Sequence, residues 1–376
     1  FWLKTLVRMC PRRQRTFAAY FTARKVWLLV EPDGRSDQAL ASMGKDRSER
    51  WLGIPLKWVS LILLVIQTVG VVFFMRLSRV GEGPKYLNTT AVFFAELFKL
   101  IGSFLLLVRE KKDLGLACVA IKQSMLGRWR ESLKMLVPSV LYTVQNNLLF
   151  VALSNLSGAV YQVTYQLKIL TTAVLSVAIL GKTLDKEKWL ALLLLTVGVS
   201  FIQFPRSESS GHGPEDGNAL IGLVAVVSAC MTSGAAGVYL EKMLKQTDAS
   251  IWMRNIQLGL FGSTMALAGA VWQDGTAIRA GGFLQNYNGI VWCVIMLHAF
   301  GGLIVAAVLK YADNILKCFG NAMSIVFSCL LSAVLLKEFE PDFLFLLGTT
   351  LVVAATVMYS LGGPRTIWAL LHANPH

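Results

Sequence analysis

About ten apolar segments, each close to the length needed to cross a bilayer, recur along this chain. A hydrocarbon core of ~30 Å requires roughly 20 mostly apolar residues in a helix. Only helices and closed barrels satisfy all backbone polar groups in lipid. The predicted spans are 57–76, 86–108, 133–154, 158–181, 188–204, 217–240, 252–272, 287–309, 314–336 and 341–361. The chain is therefore predicted to be an all-α integral membrane protein.

Composition supports this prediction. Hydrophobic residues make up 55% of the chain and charged residues only 15%, and the mean hydropathy is +0.57. The formal net charge of +14 does not indicate a nucleic-acid partner, because the basic residues lie between the apolar segments and in the first fifty positions. Charge in such positions reports membrane topology.

Basic connections alternate with poorly charged ones. The second connection contains Arg109, Lys111, Lys112, Lys122, Arg128 and Arg130, and the fourth contains Lys182, Lys186 and Lys188. Because basic connections stay in the cytosol, we expect both termini there. Arg76, Arg79 and Lys85 in the first connection oppose this trend.

The segments suggest five regions. Residues 1–56 are interpreted as a basic, disordered cytosolic extension, and 205–216 as a lumenal linker between two halves. The halves are 57–204 and 217–362, and 363–376 is a short cytosolic tail. Polar residues occur within spans of both halves, which fits the internal-repeat plan of secondary transporters with a site between the repeats.

Lysines within apolar segments indicate where an anion could bind. Lys168 lies inside the fourth span, where an ammonium group costs roughly 3 to more than 10 kcal/mol, so it is predicted to face a wet cavity. Tyr161 and Tyr165 share its helix face. Lys317 lies in the first turn of the ninth span, where free backbone amides also favour phosphate. An ion pair with Asp313 is the alternative for Lys317.

Three consecutive amides, Gln145, Asn146 and Asn147, follow Tyr142 in the third span. Amides at membrane depth need partners. Their donors and acceptors match the edge of a pyrimidine, and Tyr142, Tyr161 and Tyr165 could stack on the ring or bind ribose. An amide clamp between helices is the alternative.

Other polar and small residues favour structural roles. Glu96 and Lys99 are spaced to neutralise each other, and we expect them to support the wall of the site. Glu241 and Lys242 are predicted to be interfacial. Small residues at 233–237 and 301–302 predict close helix packing.

No feature favours an enzyme. The six cysteines lack paired spacing and the four histidines are scattered, so we expect neither a disulfide framework nor a metal or other cofactor. A membrane enzyme usually needs a cluster of carboxylates or histidines at the boundary. A receptor would more often have seven spans. A transporter of sugar phosphates, amines or other metabolites stays open as an alternative.

Several motifs resemble a known family. They are Tyr142–Asn147, Val151–Leu156, Tyr161–Leu170, Gly237–Lys242 and Lys310–Lys317. Together, in this order over residues 57–362, they resemble the Golgi nucleotide-sugar transporters that carry UDP-galactose, UDP-N-acetylglucosamine or CMP-sialic acid.

The resemblance implies a drug/metabolite transporter fold of ten transmembrane helices in two inverted five-helix repeats. It also implies exchange of a nucleotide sugar for a nucleoside monophosphate in the Golgi membrane. We consider a homodimer as one alternative for the assembly of the protein. The family's phosphate-binding lysines match Lys168 and Lys317. Its nucleotide-contacting residues match Tyr142, Gln145, Asn146, Tyr165 and Asn255. We also predict substrate contacts for Tyr161, Gly259 and Asn314.

Within this branch, Gly259 and Phe261 resemble the UDP-sugar members, so UDP-N-acetylglucosamine or UDP-galactose is the expected substrate and UMP the counter-substrate. CMP-sialic acid or another phosphorylated metabolite is the alternative. Cys318 and Asn321 depart from the family pattern beside the expected phosphate site.

Overall fold

A computed structural model describes most of the chain. The described residues are 50–51, 53–78, 86–204, 218–246, 250–336 and 340–361. The chain divides into two units, Phe1–Leu56 and Lys57–His376. The predicted disordered extension, apart from its last few residues, the linker 205–216 and the tail 363–376 lie outside the described residues.

The described end of the first unit contains a small hairpin. Strands β1 (Arg50–Trp51) and β2 (Ile54–Pro55) pair antiparallel, with Trp51 opposite Ile54. Gly53 in the turn has φ +81°, a left-handed conformation that glycine adopts without steric cost.

The described part of the second unit consists of helices joined by short connections. Its helices are α1 (Leu56–Leu77), α2 (Asn88–Lys111), α3 (Leu114–Lys122), α4 (Trp129–Leu133), α5 (Leu136–Leu153), α6 (Gly158–Tyr165), α7 (Leu167–Leu180), α8 (Lys186–Ile202), α9 (Ala219–Lys245), α10 (Ile251–Gly281), α11 (Gly289–Tyr311), α12 (Asn314–Leu331) and α13 (Phe343–Leu361). Two π-helical turns, Gln123–Gly127 and Ser332–Leu336, follow α3 and α12.

Each predicted span overlaps a helix, and eight spans are long and apolar enough to cross a membrane. The other two are α8 and α10. Helix α8 has 17 residues, the lower limit for a span, and α10 contains Arg254, Asn255 and Gln257 near its start. The count of ten spans and the inverted repeats stay predictions.

Side-chain caps define several helix starts. The Asp313 carboxylate accepts a hydrogen bond from the Leu316 N–H at 2.7 Å, and Asn288 accepts one from Val291 N–H at 2.9 Å. Ser157 caps α6 and Asn218 caps α9 in the same way. Such caps satisfy backbone donors that have no partner within the helix.

The fourth predicted span contains one irregular turn at Gln166, whose φ of −67° and ψ of −16° stay in the right-handed helical region. Helix α6 ends at Tyr165 and α7 begins at Leu167, with Gln166 between them. The Gln166 side chain donates to Gln203 Oε1 at 2.5 Å and is buried. The interruption lies just before Lys168 and coincides with a polar contact to Gln203, a residue outside the fourth span.

Small residues set the closest helix contacts. Helices α8 and α13 meet at Gly198 and Gly348, where a Cβ added to Gly198 would lie 2.9 Å from the Gly348 carbonyl oxygen. Their crossing belongs to a hydrophobic cluster that includes Leu195, Phe319 and Val352. Small residues allow such backbone approach in membrane helix pairs.

Candidate functional site

Lys168 lies in the first turn of α7, directly after the interruption at Gln166. Its Nζ is 4.2 Å from the centre of the Tyr165 ring, which is a cation–π contact. Within the described part of the chain, no carboxylate pairs with Lys168. The ring stabilises the ammonium group without neutralising it.

Lys317 lies in the first turn of α12, as the sequence predicts. The alternative of an ion pair with Asp313 is wrong, because the Asp313 carboxylate lies 3.4 Å from Lys182 and caps α12. Ile169 and Cys318, which directly follow the two lysines, lie in the same hydrophobic cluster, so the first turns of α7 and α12 pack together. The fold thus brings together the helix turns that carry one lysine from each half of the chain.

The two tyrosines of α6 form a stacked pair. The rings of Tyr161 and Tyr165 are nearly parallel, at 7°, with centres 5.7 Å apart. The Gln145 side chain of α5 donates to the Tyr165 hydroxyl at 3.3 Å. The predicted aromatic and amide residues are therefore connected, although the rings contact each other.

The three consecutive amides of α5 have different environments. Gln145 is buried, and its Oε1 has no hydrogen-bond partner among the described residues. Asn146 and Asn147 are exposed, and Asn147 donates to the Thr143 carbonyl within its own helix. Successive helical residues point about 100° apart, so one run cannot supply three groups to one base. Tyr142 is half-buried.

The predicted residues of α10 and α12 are deeply buried. Asn255 is 2% exposed and Asn314 is 1% exposed. Neither Asn255 Nδ2 nor Asn314 Oδ1 has a hydrogen-bond partner within the described ranges. Gly259 packs against Leu100 of α2, since a Cβ added there would lie 3.4 Å from the Leu100 Cβ. The structure therefore shows Gly259 in contact with helix α2, and its contact with a substrate stays a prediction.

Glu241 is fully buried within the protein, and its predicted place at the membrane interface stays a prediction. Its Oε1 lies 2.8 Å from Lys182 and 2.9 Å from Lys245, and its Oε2 accepts the Asn314 N–H at 2.9 Å. The reason is tertiary: α7 ends at Gly181, with φ +66°, and the following Lys182 reaches α9. We call Glu241, Lys182, Asp313 and Lys245 the ionic cluster.

Glu96 and Lys99 form an ion pair along α2. A Cβ added to Gly302 of α11 would collide with the Lys99 side chain, and one added to Gly262 of α10 would collide with Glu96. The small residues predicted to permit close packing at 301–302 therefore accommodate a polar side chain. Whether this pair supports the substrate site stays a prediction.

Two further polar features, a pair and a network, were not predicted from the sequence. One is the Gln166–Gln203 pair, for which the only signal is a glutamine within each apolar run. The other is a network in which Arg254 donates to Gln257 Oε1, and Gln257 donates to Ser124 and Ser132. This network attaches the connection between α2 and α5 to the start of α10.

An apolar groove of about 840 Å³ lies between α1, α12 and α13. Trp58, Ile62, Phe319, Met323 and Phe327 are among its lining residues, and neither Lys168 nor Lys317 contributes to it. Its chemistry suits lipid chains, because the walls offer almost no polar group.

Known proteins resemble this chain over the helical region. Residues 53–360 match the nucleotide-sugar transporter family. A human UDP-N-acetylglucosamine transporter is 49% identical over 308 residues, which cover 81% of this chain and 95% of the relative. A mouse UDP-galactose translocator is 46% identical over 307 residues, covering 81% of this chain and 78% of the relative.

A solved crystal structure has a similar fold, with a TM-score of 0.61 at 12% identity. It covers 82% of this chain and 97% of its own. At this identity only the fold is informative. The family match, in contrast, extends over most of the chain and includes both lysines, so the protein belongs to the nucleotide-sugar transporter family.

Proposed function

We propose that the protein exchanges a UDP-sugar for UMP across the Golgi membrane, carrying the sugar nucleotide from the cytosol into the lumen. UDP-N-acetylglucosamine and UDP-galactose are the first candidates, because the similar human and mouse proteins are named for these substrates. Both termini of the chain are cytosolic in this proposal, in agreement with the basic connections.

The observation that carries the proposal is the packing of α7 against α12, whose first turns contain Lys168 and Lys317, with no carboxylate paired to either lysine among the described residues. Asp313, the nearest acidic residue along α12, is already engaged by Lys182. Two like charges in a membrane protein are unfavourable unless an anion or water compensates them. A nucleotide diphosphate supplies the required negative charge, and UMP supplies it on the return step.

Three buried amides with unpaired atoms support recognition of a base or sugar. Gln145 Oε1, Asn255 Nδ2 and Asn314 Oδ1 are buried polar atoms without partners among the described residues. A buried polar group without a partner costs roughly 1–3 kcal/mol, so a ligand that supplies one gains affinity. An acceptor and a donor suit the imide N–H and carbonyl groups of uracil.

Alternating access would require the ionic cluster to separate or rearrange. Lys182 belongs to the connection after α7, whereas Glu241 and Asp313 belong to the second half, so the cluster ties the two halves at one end. We infer that it closes the cytosolic side in this conformation. A ligand shifts the protein to the other conformation only if it binds that conformation more tightly. A difference in binding free energy of ~5.5 kcal/mol between the two conformations moves their equilibrium from 1:99 to 99:1.

Counterflow tests the proposal. Purified protein in vesicles preloaded with UMP should accumulate labelled UDP-N-acetylglucosamine or UDP-galactose. Lys168→Gln should reduce the initial rate at least tenfold, because a charged hydrogen bond contributes roughly 1.5–3 kcal/mol. The matched control is Lys186→Gln, which removes an exposed lysine near the start of α8.

Monomer recovery by size exclusion separates a loss of transport from a loss of folding. Unchanged counterflow in folded Lys168→Gln would reject the role of this lysine. Unlabelled CMP competing better than UMP would favour the CMP-sialic acid alternative, and competition by neither would favour another phosphorylated metabolite.

A further inference from the structure

The connection between α2 and α5 contains a short apolar helix that the transport mechanism does not use. Helix α3 and the π-helical turn after it extend from Leu114 to Gly127, too short to cross a membrane. Lys112 has φ +58° and ends α2, so the chain turns before α3 begins. The segment thus starts directly at the end of a candidate span.

One side of this segment is attached to the helical bundle. Ala117 is buried in a cluster with Leu107, Met253 and Ile256. Ala120, Ile121 and Ser124 continue the same side at helical spacing. Ser124 also accepts from Gln257 of α10 at 2.9 Å. The segment is therefore held in place at the edge of the bundle.

The other sides of the segment are apolar and uncovered. Leu114, Leu116, Val119, Leu126 and Trp129 are between 53% and 69% exposed. A helix on a water-facing surface would carry polar residues at such positions. Apolar residues and a tryptophan are typical of helices that lie in the membrane interface.

Basic residues surround this apolar surface. Between positions 109 and 134 there are seven lysines and arginines and three acidic residues. The acidic residues have local partners: Glu110 accepts from Ser250, Asp113 caps α3, and Glu131 pairs with Lys134. Within the described chain, Lys111, Lys112, Lys122 and Arg128 are exposed and make no ion pair.

We infer that Leu114–Trp129 lies in the lipid interface and that its basic rim binds anionic phospholipid headgroups. The apolar side chains enter the acyl region near the headgroups, and the lysines and arginines contact phosphate and carboxylate groups. The cytosolic leaflet supplies such lipids, and each basic residue near the surface strengthens the attraction to them roughly fivefold. This binding is independent of which nucleotide sugar is transported.

Trp129 provides a direct probe. The full chain is reconstituted in phosphatidylcholine vesicles that contain the same mole fraction of brominated phosphatidylcholine or brominated phosphatidylserine. Bromine quenches tryptophan on contact, and the contribution of Trp129 is the difference between the unmodified protein and Trp129→Phe. We expect both lipids to quench Trp129, and the serine lipid to quench it more.

A charge variant localises the effect. Lys111→Gln/Lys122→Gln should bring the quenching ratio of the two lipids close to one, whereas Lys186→Gln/Lys188→Gln, in another basic connection, should leave it unchanged. No quenching of Trp129 by either lipid would overturn the interfacial position. Equal quenching by both lipids, or an equal effect of the two double variants, would overturn the anionic lipid site.

Discussion

Glu241 Oε1 lies 2.8 Å from Lys182 Nζ and connects α9 to the segment that follows α7. The carboxylate is fully buried, and it also pairs with Lys245 and accepts the N–H of Asn314. Asn314 begins the helix that carries Lys317. One carboxylate therefore positions the start of α12 and joins two halves of the chain.

Replacing Glu241 should destabilise the protein markedly. Glu241→Gln keeps the side-chain size but leaves two lysines without their shared partner, and breaking a buried pair costs roughly 3–5 kcal/mol. We expect a clear fall of the thermal unfolding midpoint in one detergent. Asp185→Asn is the control, because Asp185 is 82% exposed and 3.9 Å from Lys188, so its loss should cost less than ~1 kcal/mol. Equal midpoints for both variants would contradict this prediction.

The crossing of α8 and α13 should not tolerate an added methyl group. In Gly198→Ala the new Cβ would meet the backbone of Gly348, which cannot move away like a flexible side chain. Overpacking of this kind costs roughly 1–3 kcal/mol. Gly269→Ala in α10 is the control, since no atom lies within 4 Å of its added Cβ. Alanine there should be neutral or stabilising by up to ~1 kcal/mol. Thermal unfolding of both variants measures the difference, and a stable Gly198→Ala would reject the close crossing.

Gln145 should contribute to nucleotide affinity and Asn147 should not. Gln145→Leu removes a buried amide with an unpaired oxygen, whereas Asn147→Leu removes an exposed amide bonded within its own helix. A neutral hydrogen bond contributes roughly 0.5–1.5 kcal/mol, so we expect a two- to twelvefold weaker Kd for UMP in Gln145→Leu. Titration of purified protein with UMP measures it. An equal loss in both variants would argue against a specific contact by Gln145.

The Gln166–Gln203 pair should show coupling in a double-mutant cycle. Gln166→Leu leaves the Gln203 amide without its partner, and Gln203→Leu does the same to Gln166. The double variant removes both, so its destabilisation should be smaller than the sum by about 1 kcal/mol. Because Gln166 precedes Lys168, we also expect each single variant to weaken UMP binding. If the losses of unfolding free energy in the two single variants add up in the double variant and UMP affinity is unchanged, the pair neither couples the two helices nor positions Lys168.

Local sequence information was sufficient for the helices, and it singled out two lysines whose role in binding phosphate stays a prediction. Each apolar run of the predicted length contains a helix, because the lack of water in a bilayer forces backbone hydrogen bonds into the segment itself. Lys168 and Lys317 could be selected because a charge in an apolar run is costly and therefore conspicuous. The family motifs around them were confirmed by a match over residues 53–360.

Contacts between distant segments could not be derived in this way. The position of Glu241 at the end of a run did not indicate that Lys182 and Lys245 pair with it in a buried cluster. Which amides of α5 are buried depends on how the helix packs: Gln145 is buried, whereas Asn146 and Asn147 are exposed. The interruption at Gln166 accompanies a contact with Gln203, which lies 37 positions away.

The order of apolar segments and the cost of charge in lipid are properties of the chain itself, so the sequence determined the membrane class, the helices and the candidate phosphate ligands. Which polar groups meet depends on how helices rotate and cross, and only the tertiary structure decided that Asp313 binds Lys182 and leaves Lys317 unpaired among the described residues. The physical reason is that side-chain pairing in a bundle follows helix-to-helix geometry, which local spacing does not encode.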